Sequence, residues 1–308
     1  MFSVIFPGQG SQLVGMGKDF FEKYDLVKRL FKEADEVLDL NLSKIILEGP
    51  KEELDFTCNT QPAIFLISFS IFKVITQEFN INLHQAKYFA GHSLGEYSAL
   101  SSAGYLDFAK TIKLLRIRGD AMQNAVPKGE GGMVAVLGKT TENIEKILYD
   151  NNKNFTAEIA NDNSDGQIVI SGKNTDLIKL IEILKSENIK NIKLPVSAPF
   201  HCKLMSKATE TMRKEINDIN FEESKNVLIS NVTATEISDK NEIKKLLIDQ
   251  IENRVRWRES VNYMIKNGVN HFIEIGPGKI LSGLVKRINK DVKIDTINNE
   301  NDINNLKI

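Results

Sequence analysis

Short unbroken apolar runs alternate with longer stretches of helical spacing along this chain. Phe2 to Phe6 is an apolar run of strand length that closes in a turn-rich loop, Pro7 to Gln12. Asp19 to Leu40 reads as helix, with Leu26, Leu30, Val37 and Leu38 among many charges, and Ser43 to Leu47 as a shorter one. Gln61-Pro62 opens a stronger helix, because proline suits the first helical turn. From Ala63 to Phe79 that helix is apolar around most of its circumference, which predicts that it is largely buried. Lys87 to Ala90 reads as a short strand, and Glu96 to Ala103 as a helix that stops at Gly104. Asp107 is placed to cap a helix from Phe108 to about Ala125.

Beyond Met133 the elements shorten and their order changes. Met133 to Leu137 reads as strand, Thr141 to Tyr149 as helix, Thr156 to Ile159 as strand, Asn161 to Gly166 as a turn, and Gln167 to Ser171 as strand. Asp176 to Ser186 carries Leu177, Leu180, Ile181 and Leu184 at i, i+3, i+4 and i+7, a helical stripe, and Ile192 to Val196 closes the set as a strand. The order βαββαβ is that of a ferredoxin-like unit. Pro127 to Gly132 and Pro195 to Pro199 read as its hinges. Helices follow over 203–216, 242–251, 260–267 and 279–288, with strands over 227–231, 271–275 and 292–297. The expected fold class is α/β: a large α/β-hydrolase-like domain built from residues 1–126 and 196–308, interrupted by a small ferredoxin-like domain over 127–195.

Composition narrows the function classes. A length of 308 residues leaves ample chain for a buried core, and 42% hydrophobic with 26% charged residues is ordinary for a globular protein. A net charge of -1 gives no bulk attraction to nucleic acid or an anionic membrane. The longest apolar stretch, Ala63 to Phe72, is too short to span a bilayer. Cys58 and Cys202 are far apart and in no metal-like spacing, so no metal site and no disulfide framework is expected.

The chemistry concentrates at Gly91-His92-Ser93-Leu94-Gly95. A G-x-S-x-G pattern between a strand and a helix is the signature of a nucleophile elbow, in which the glycines keep side chains out of a tight turn. The helix N-terminus then aims free N–H groups at the serine oxygen. Gln9 lies between Gly8 and Gly10, where its N–H can face an oxyanion or simply meet solvent. No dinucleotide or phosphate-loop pattern is complete, since Leu13 stands where G-x-G-x-x-G needs glycine. At about 100° per residue, Arg118 falls inside the apolar arc of its helix and Arg116 on the polar side. Arg116 is therefore expected in solvent. Arg118 is expected to be half-buried and in need of a partner, either a structural acidic side chain or a substrate carboxylate. Of the four histidines, His201, in a proline-bounded loop, is the best placed partner for Ser93. The alternative is a helix-capping or exposed histidine.

Taken in order, Phe6-Pro7-Gly8-Gln9-Gly10-Ser11-Gln12, Gln61-Pro62-Ala63, Gly91 through Tyr97, Arg118-Gly119, Pro195-Val196-Ser197 through His201, and Gly276-Pro277-Gly278-Lys279 resemble the malonyl-CoA:acyl carrier protein transacylases of fatty-acid synthesis over nearly the whole chain. The resemblance implies Ser93 as nucleophile and His201 as base, with the N–H groups of Gln9 and Leu94 as oxyanion hole. It also implies Arg118 as the malonyl carboxylate's partner and the main-chain carbonyl of Gln250 as the group that orients the histidine. The implied substrate is malonyl-CoA, the partner holo acyl carrier protein, and no metal or redox cofactor is called for. A cytoplasmic monomer with no nucleic-acid or membrane partner is expected. Ala198 and Phe200 depart from the residues common in the family, and Phe200 is expected to narrow the mouth of the site. A serine hydrolase and a non-catalytic carrier-binding module are the competing readings, and a polyketide or malonate-decarboxylase carrier is a close variant.

Overall fold

The computed structural model describes residues 1–196 and 198–308; Ser197, within the loop before His201, lies outside the described residues. Among the described residues ten strands follow in chain order: β1 (Phe2–Phe6), β2 (Tyr88–Gly91), β3 (Gly131–Leu137), β4 (Ala157–Ser164), β5 (Gln167–Lys173), β6 (Asn191–Lys193), β7 (Leu228–Ile229), β8 (Glu236–Ile237), β9 (His271–Ile275) and β10 (Lys293–Ile297). They form two sheets, ordered β10-β9-β1-β2-β7-β8 and β4-β5-β3-β6. The larger is parallel except for its edge pair β7–β8. β1, β2 and β9 are buried along their whole lengths, as a sheet covered on both faces requires. The smaller sheet is antiparallel, with strand order and helices of the ferredoxin-like unit.

From β1 the chain moves outward through β2 to β7, then returns to the other side of β1 with β9. Loops that leave the carboxyl ends of β1, β2 and β9 therefore meet where the strand order reverses, the usual crevice for a site in an open α/β sheet.

The apolar helix is longer than its sequence pattern predicts. It runs Thr57–Gln77, with Pro62 inside it rather than at its start. Proline has no N–H to give to the carbonyl of Cys58, four residues back. Arg116 repairs this: its Nη1 donates to Cys58 O at 3.1 Å and also bonds Asn59 Oδ1. Arg116 is thus half-buried, not the solvated charge that the helical wheel suggests. The helix is long and apolar enough to cross a bilayer, but its most apolar window is 89% buried within the protein, so its hydrophobicity serves the core.

Two further expectations change. Asp19 to Leu40 is two helices, Lys18–Lys23 and Asp25–Leu38, divided by the extended Tyr24. The turn expected at Asn161–Gly166 is confined to Asp165-Gly166, and β4 continues through Ser164. Of its buried polar residues, Asp162 and Asn163 find side-chain partners on the large sheet's side of the molecule. Asp162 is held as a fork by Arg258, with Nε to Oδ1 at 3.0 Å and Nη2 to Oδ2 at 2.9 Å. The backbone joins in: Asp162 N donates to Val255 O and Val255 N to Ala160 O. At the other junction a Cβ on Gly131 would lie 2.3 Å from Pro199 Cδ, so the two connecting segments pack on each other. Gly131 and Gly132 belong to β3 and not to a free hinge.

Removing Arg258 leaves the fully buried Asp162 carboxylate without its countercharge. Breaking such a pair costs about 3–5 kcal/mol, and the partial exposure of Arg258 puts the cost near the low end. Arg258→Leu is expected to lower stability by about 3 kcal/mol, read as a fall in the urea midpoint with unchanged slope. A midpoint that does not move would show that the fork does not hold the two sheets together.

Candidate active site

β2 delivers the chain to Ser93, whose φ of 55° and ψ of −112° are strained for a residue with a side chain. The flanking glycines are required by space. A Cβ on Gly91 would sit 2.0 Å from the Gly95 carbonyl, and one on Gly95 would sit 2.3 Å from Phe6 O. The turn is locked by Gly95 N to His92 O at 2.9 Å, by His92 N to Phe6 O at 3.1 Å, and by Ser93 N to Asn231 Oδ1 at 2.8 Å. Helix Leu94–Ser102 begins immediately after Ser93, so the Leu94 N–H has no partner inside the helix. Gln9 lies in the loop after β1, which packs on the elbow: a Cβ on Gly8 would come within 2.6 Å of His92 O.

His201 approaches from the loop after the small sheet and is itself at a positive φ of 58°. Its Nε2 is 2.8 Å from Ser93 Oγ, and its Nδ1 is 2.9 Å from the main-chain oxygen of Gln250. A carbonyl can only accept, so Nδ1 carries the proton and Nε2 presents its lone pair to the serine hydroxyl. Burial, reinforced by the Arg118 guanidinium, pushes the His201 pKa down to about 3. The imidazole is therefore neutral in the resting site, the form a general base needs.

Arg118 is completely buried. Nη1 donates to Gln61 Oε1 at 2.8 Å, and Nη2 donates to Gln250 Oε1 at 2.8 Å and to Ser93 Oγ at 3.2 Å. The ring of Tyr97 lies 5.4 Å from the guanidinium carbon. Among the described residues no carboxylate is bonded to it, its Nε makes no hydrogen bond of good geometry, and the Tyr97 side chain is a further polar neighbour of the guanidinium. Of the two partners left open by the sequence, no structural acid occupies the fork. Burial lowers the Arg118 pKa, and Tyr97 and Glu96 oppose the shift. Ser93, His201, Arg118, Gln9 and Leu94 line one cavity of about 120 Å³ between the sheets. Its apolar wall is Met122, Met133, Leu194, Val196 and Phe200. Phe200 is buried in that wall.

Residues 3–301 match the model of the acyl transferase domain family. A Bacillus subtilis protein named malonyl CoA-acyl carrier protein transacylase is 43% identical over 94% of this chain and 90% of its own length. The Escherichia coli protein of that name is 39% identical over 93% of this chain and 92% of its own. The chain belongs to the malonyl-CoA–acyl carrier protein transacylase family. Among solved structures, an acyl-carrier-protein S-malonyltransferase from Bartonella henselae superposes with a TM-score of 0.96 at 42% identity, covering 99% of this chain and 97% of the other. A malonyl-transacylase in complex with a type II PKS acyl-carrier protein superposes at 0.94 with 36% identity, covering 98% and 97%.

In this member of the transacylase family, sequence reasoning misses Gln61, which lines the cavity, and Asn231 and Glu96, which stand one layer behind it. Asn231, at the end of the β7 segment, accepts from Ser93 N and donates Nδ2 to Gly91 O at 2.7 Å. Glu96, buried in the elbow helix, accepts from Gln250 Nε2 at 2.6 Å and from Asn231 N at 3.2 Å. Gln61 and Glu96 fall inside quoted motifs and so carry a signal, whereas Asn231 carries none. Of the other histidines, His92 turns its Nε2 to Asn163 Oδ1 at 2.8 Å, away from Ser93 Oγ. His84 pairs with Asn226 and His271 with Asp295.

Proposed function

We propose that the protein transfers malonyl from malonyl-CoA to the phosphopantetheine thiol of acyl carrier protein through an ester on Ser93. The observation that carries this reading is a serine–histidine pair at 2.8 Å beside a buried guanidinium to which no carboxylate is bonded among the described residues. Arg118 binds the malonyl carboxylate by a charge-assisted fork. His201 Nε2 takes the Ser93 proton as Oγ attacks the thioester carbonyl. The N–H groups of Gln9 and Leu94 face the oxyanion that forms. The C–S bond breaks, and CoA leaves as the thiol with the proton from His201. In the second half, His201 takes the pantetheine thiol's proton, sulfur attacks the ester, and Ser93 leaves with the proton restored. Every proton moves between named groups, so this acyl exchange asks nothing of a metal or redox cofactor.

All these residues come from one chain, which supports a monomer as the working unit. Two unpaired cysteines support the cytoplasm as its location. The likeness to a transacylase solved with its carrier supports the carrier as acceptor.

Intact mass after brief exposure to malonyl-CoA tests the reading. Wild type is expected to gain one malonyl group that holo acyl carrier protein discharges, and Ser93→Ala is expected to gain none. An adduct that decays in water at the same rate with and without carrier would make the protein a hydrolase instead.

A further inference from the structure

Gln250 joins both halves of the site. Its main-chain oxygen holds His201, and its side-chain Oε1 holds Arg118. A primary amide can present either oxygen or NH2 in a given direction, and only the oxygen can accept from a guanidinium. The Nε2 end settles the choice. It donates to Glu96 Oε2 at 2.6 Å and to Ser93 O at 3.0 Å, and it stands 3.4 Å from Asn231 Oδ1. All three are acceptors, and Glu96 makes the shortest contact. Glu96 is itself tied to the elbow, because it accepts from Asn231 N while Asn231 Oδ1 accepts from Ser93 N. Glu96 is not among the residues that line the cavity.

We infer that Glu96 is a positioning residue for acyl selectivity: it fixes the Gln250 amide so that Oε1 faces Arg118, and it balances the guanidinium's charge from one residue away. This rests on the reading of Arg118 as the carboxylate-binding residue. A carboxylate bonded directly to Arg118 would occupy the fork that the substrate needs. A carboxylate placed behind a neutral amide orients the guanidinium and, among the described residues, leaves it with no directly bonded carboxylate.

Glu96→Gln keeps the shape but removes the charge and the acceptor-only character. The new amide can donate to Gln250 Oε1 as readily as it accepts from Nε2, so the Gln250 side chain is free to turn over. Acylation rates with malonyl-CoA and acetyl-CoA are the readout. Their ratio cancels what the two donors share, including any loss of folding. The malonyl-to-acetyl ratio is expected to fall about tenfold in Glu96→Gln, the factor that about 1.4 kcal/mol carries, close to the low end for a hydrogen bond to a charged group. Gln250→Leu keeps the main-chain carbonyl and is expected to lower the ratio similarly. The double variant should be no worse than Gln250→Leu alone, because the two act in series.

pH gives a second readout. Burial raises the Glu96 pKa to about 7, against bonds from Gln250 and Asn231 and the charge of Arg118. The other titrating groups around it, Arg118, Tyr97 (pushed to about 12) and His201 (about 3), keep their charge states near neutrality. The wild-type ratio of kcat/KM values, which report the free enzyme, should therefore decline as pH falls through 7, whereas that ratio in Glu96→Gln should stay flat. Equal losses for both donors, or multiplying effects in the double variant, would overturn the inference. Arg118→Ala separates the two layers of argument. If it leaves the ratio unchanged, the reading of Arg118 has failed; if it shifts the ratio and Glu96→Gln does not, only the role of Glu96 has failed.

Discussion

Replacing His201 by alanine is expected to slow acylation of Ser93 by roughly 10⁴- to 10⁶-fold, the range found when a residue is removed from a serine–histidine unit. The size follows from geometry. Nε2 is the nearest base to Ser93 Oγ, at 2.8 Å, and the Gln250 carbonyl behind Nδ1 fixes the tautomer that makes it one. Single-turnover mixing with malonyl-CoA and quantification of the ester would measure the effect. A loss below about tenfold would mean that another group takes the proton. The wild-type pH profile carries a linked expectation. The free enzyme's His201 pKa is depressed to about 3 by burial and by Arg118, so the protonated, inactive form accumulates only well below the usual histidine range. The acid limb of kcat/KM due to His201 should therefore lie far below pH 6.5, the ordinary histidine value. Once a malonyl carboxylate neutralises the Arg118 field, the His201 pKa rises, and the corresponding limb in kcat should lie higher.

How much of this is legible in the sequence depends on how local each cause is. Ser93 is readable because the strain at its backbone demands glycines at 91 and 95, and both stand in the chain. Arg118 is readable because helix periodicity places it among Ile112, Leu115 and Met122. The two sheets are readable because a change from long helices to βαββαβ order accompanies the change in topology. Arg116 is misread for a physical reason: the wheel sees its own helix but not the carbonyl that Pro62 leaves unpaired on the neighbouring one. The segment Asn161–Ser164 looks like a loop because its polarity is local, whereas its partners, Arg258 and His92, lie on the large sheet's side of the molecule. Asn231 shows the same limit. Nothing near it in sequence announces that its amide will bridge Ser93 N and Gly91 O.

Arg118→Ala is expected to change which acyl group the enzyme prefers. Truncating one partner of a buried, hydrogen-bonded charge pair costs about 2–5 kcal/mol, or roughly 30- to several-thousand-fold in kcat/KM for malonyl-CoA. Acetyl-CoA brings no carboxylate to lose, so its kcat/KM should hold or rise. Two opposing effects bear on it. Removing the guanidinium takes away one donor to Ser93 Oγ, but it also lifts the field that lowers the basicity of His201. The variant leaves Gln61 Oε1 and Gln250 Oε1 without their donor, and each buried unsatisfied acceptor costs about 1–3 kcal/mol of stability. Thermal unfolding must therefore be measured beside activity. Arg118→Lys supplies the sharper comparison. A lysine keeps the charge but has no planar fork, so it cannot bind a carboxylate bidentately while it reaches both glutamines. Malonyl transfer by the lysine variant should lie between those of wild type and alanine, and the malonyl-to-acetyl ratio should fall in the order arginine, lysine, alanine as the side chain gives the carboxylate fewer hydrogen bonds. If both donors fall together in both variants, Arg118 is holding the site's shape, and selectivity for malonyl must be sought in the cavity wall of Met133, Leu194, Val196 and Phe200.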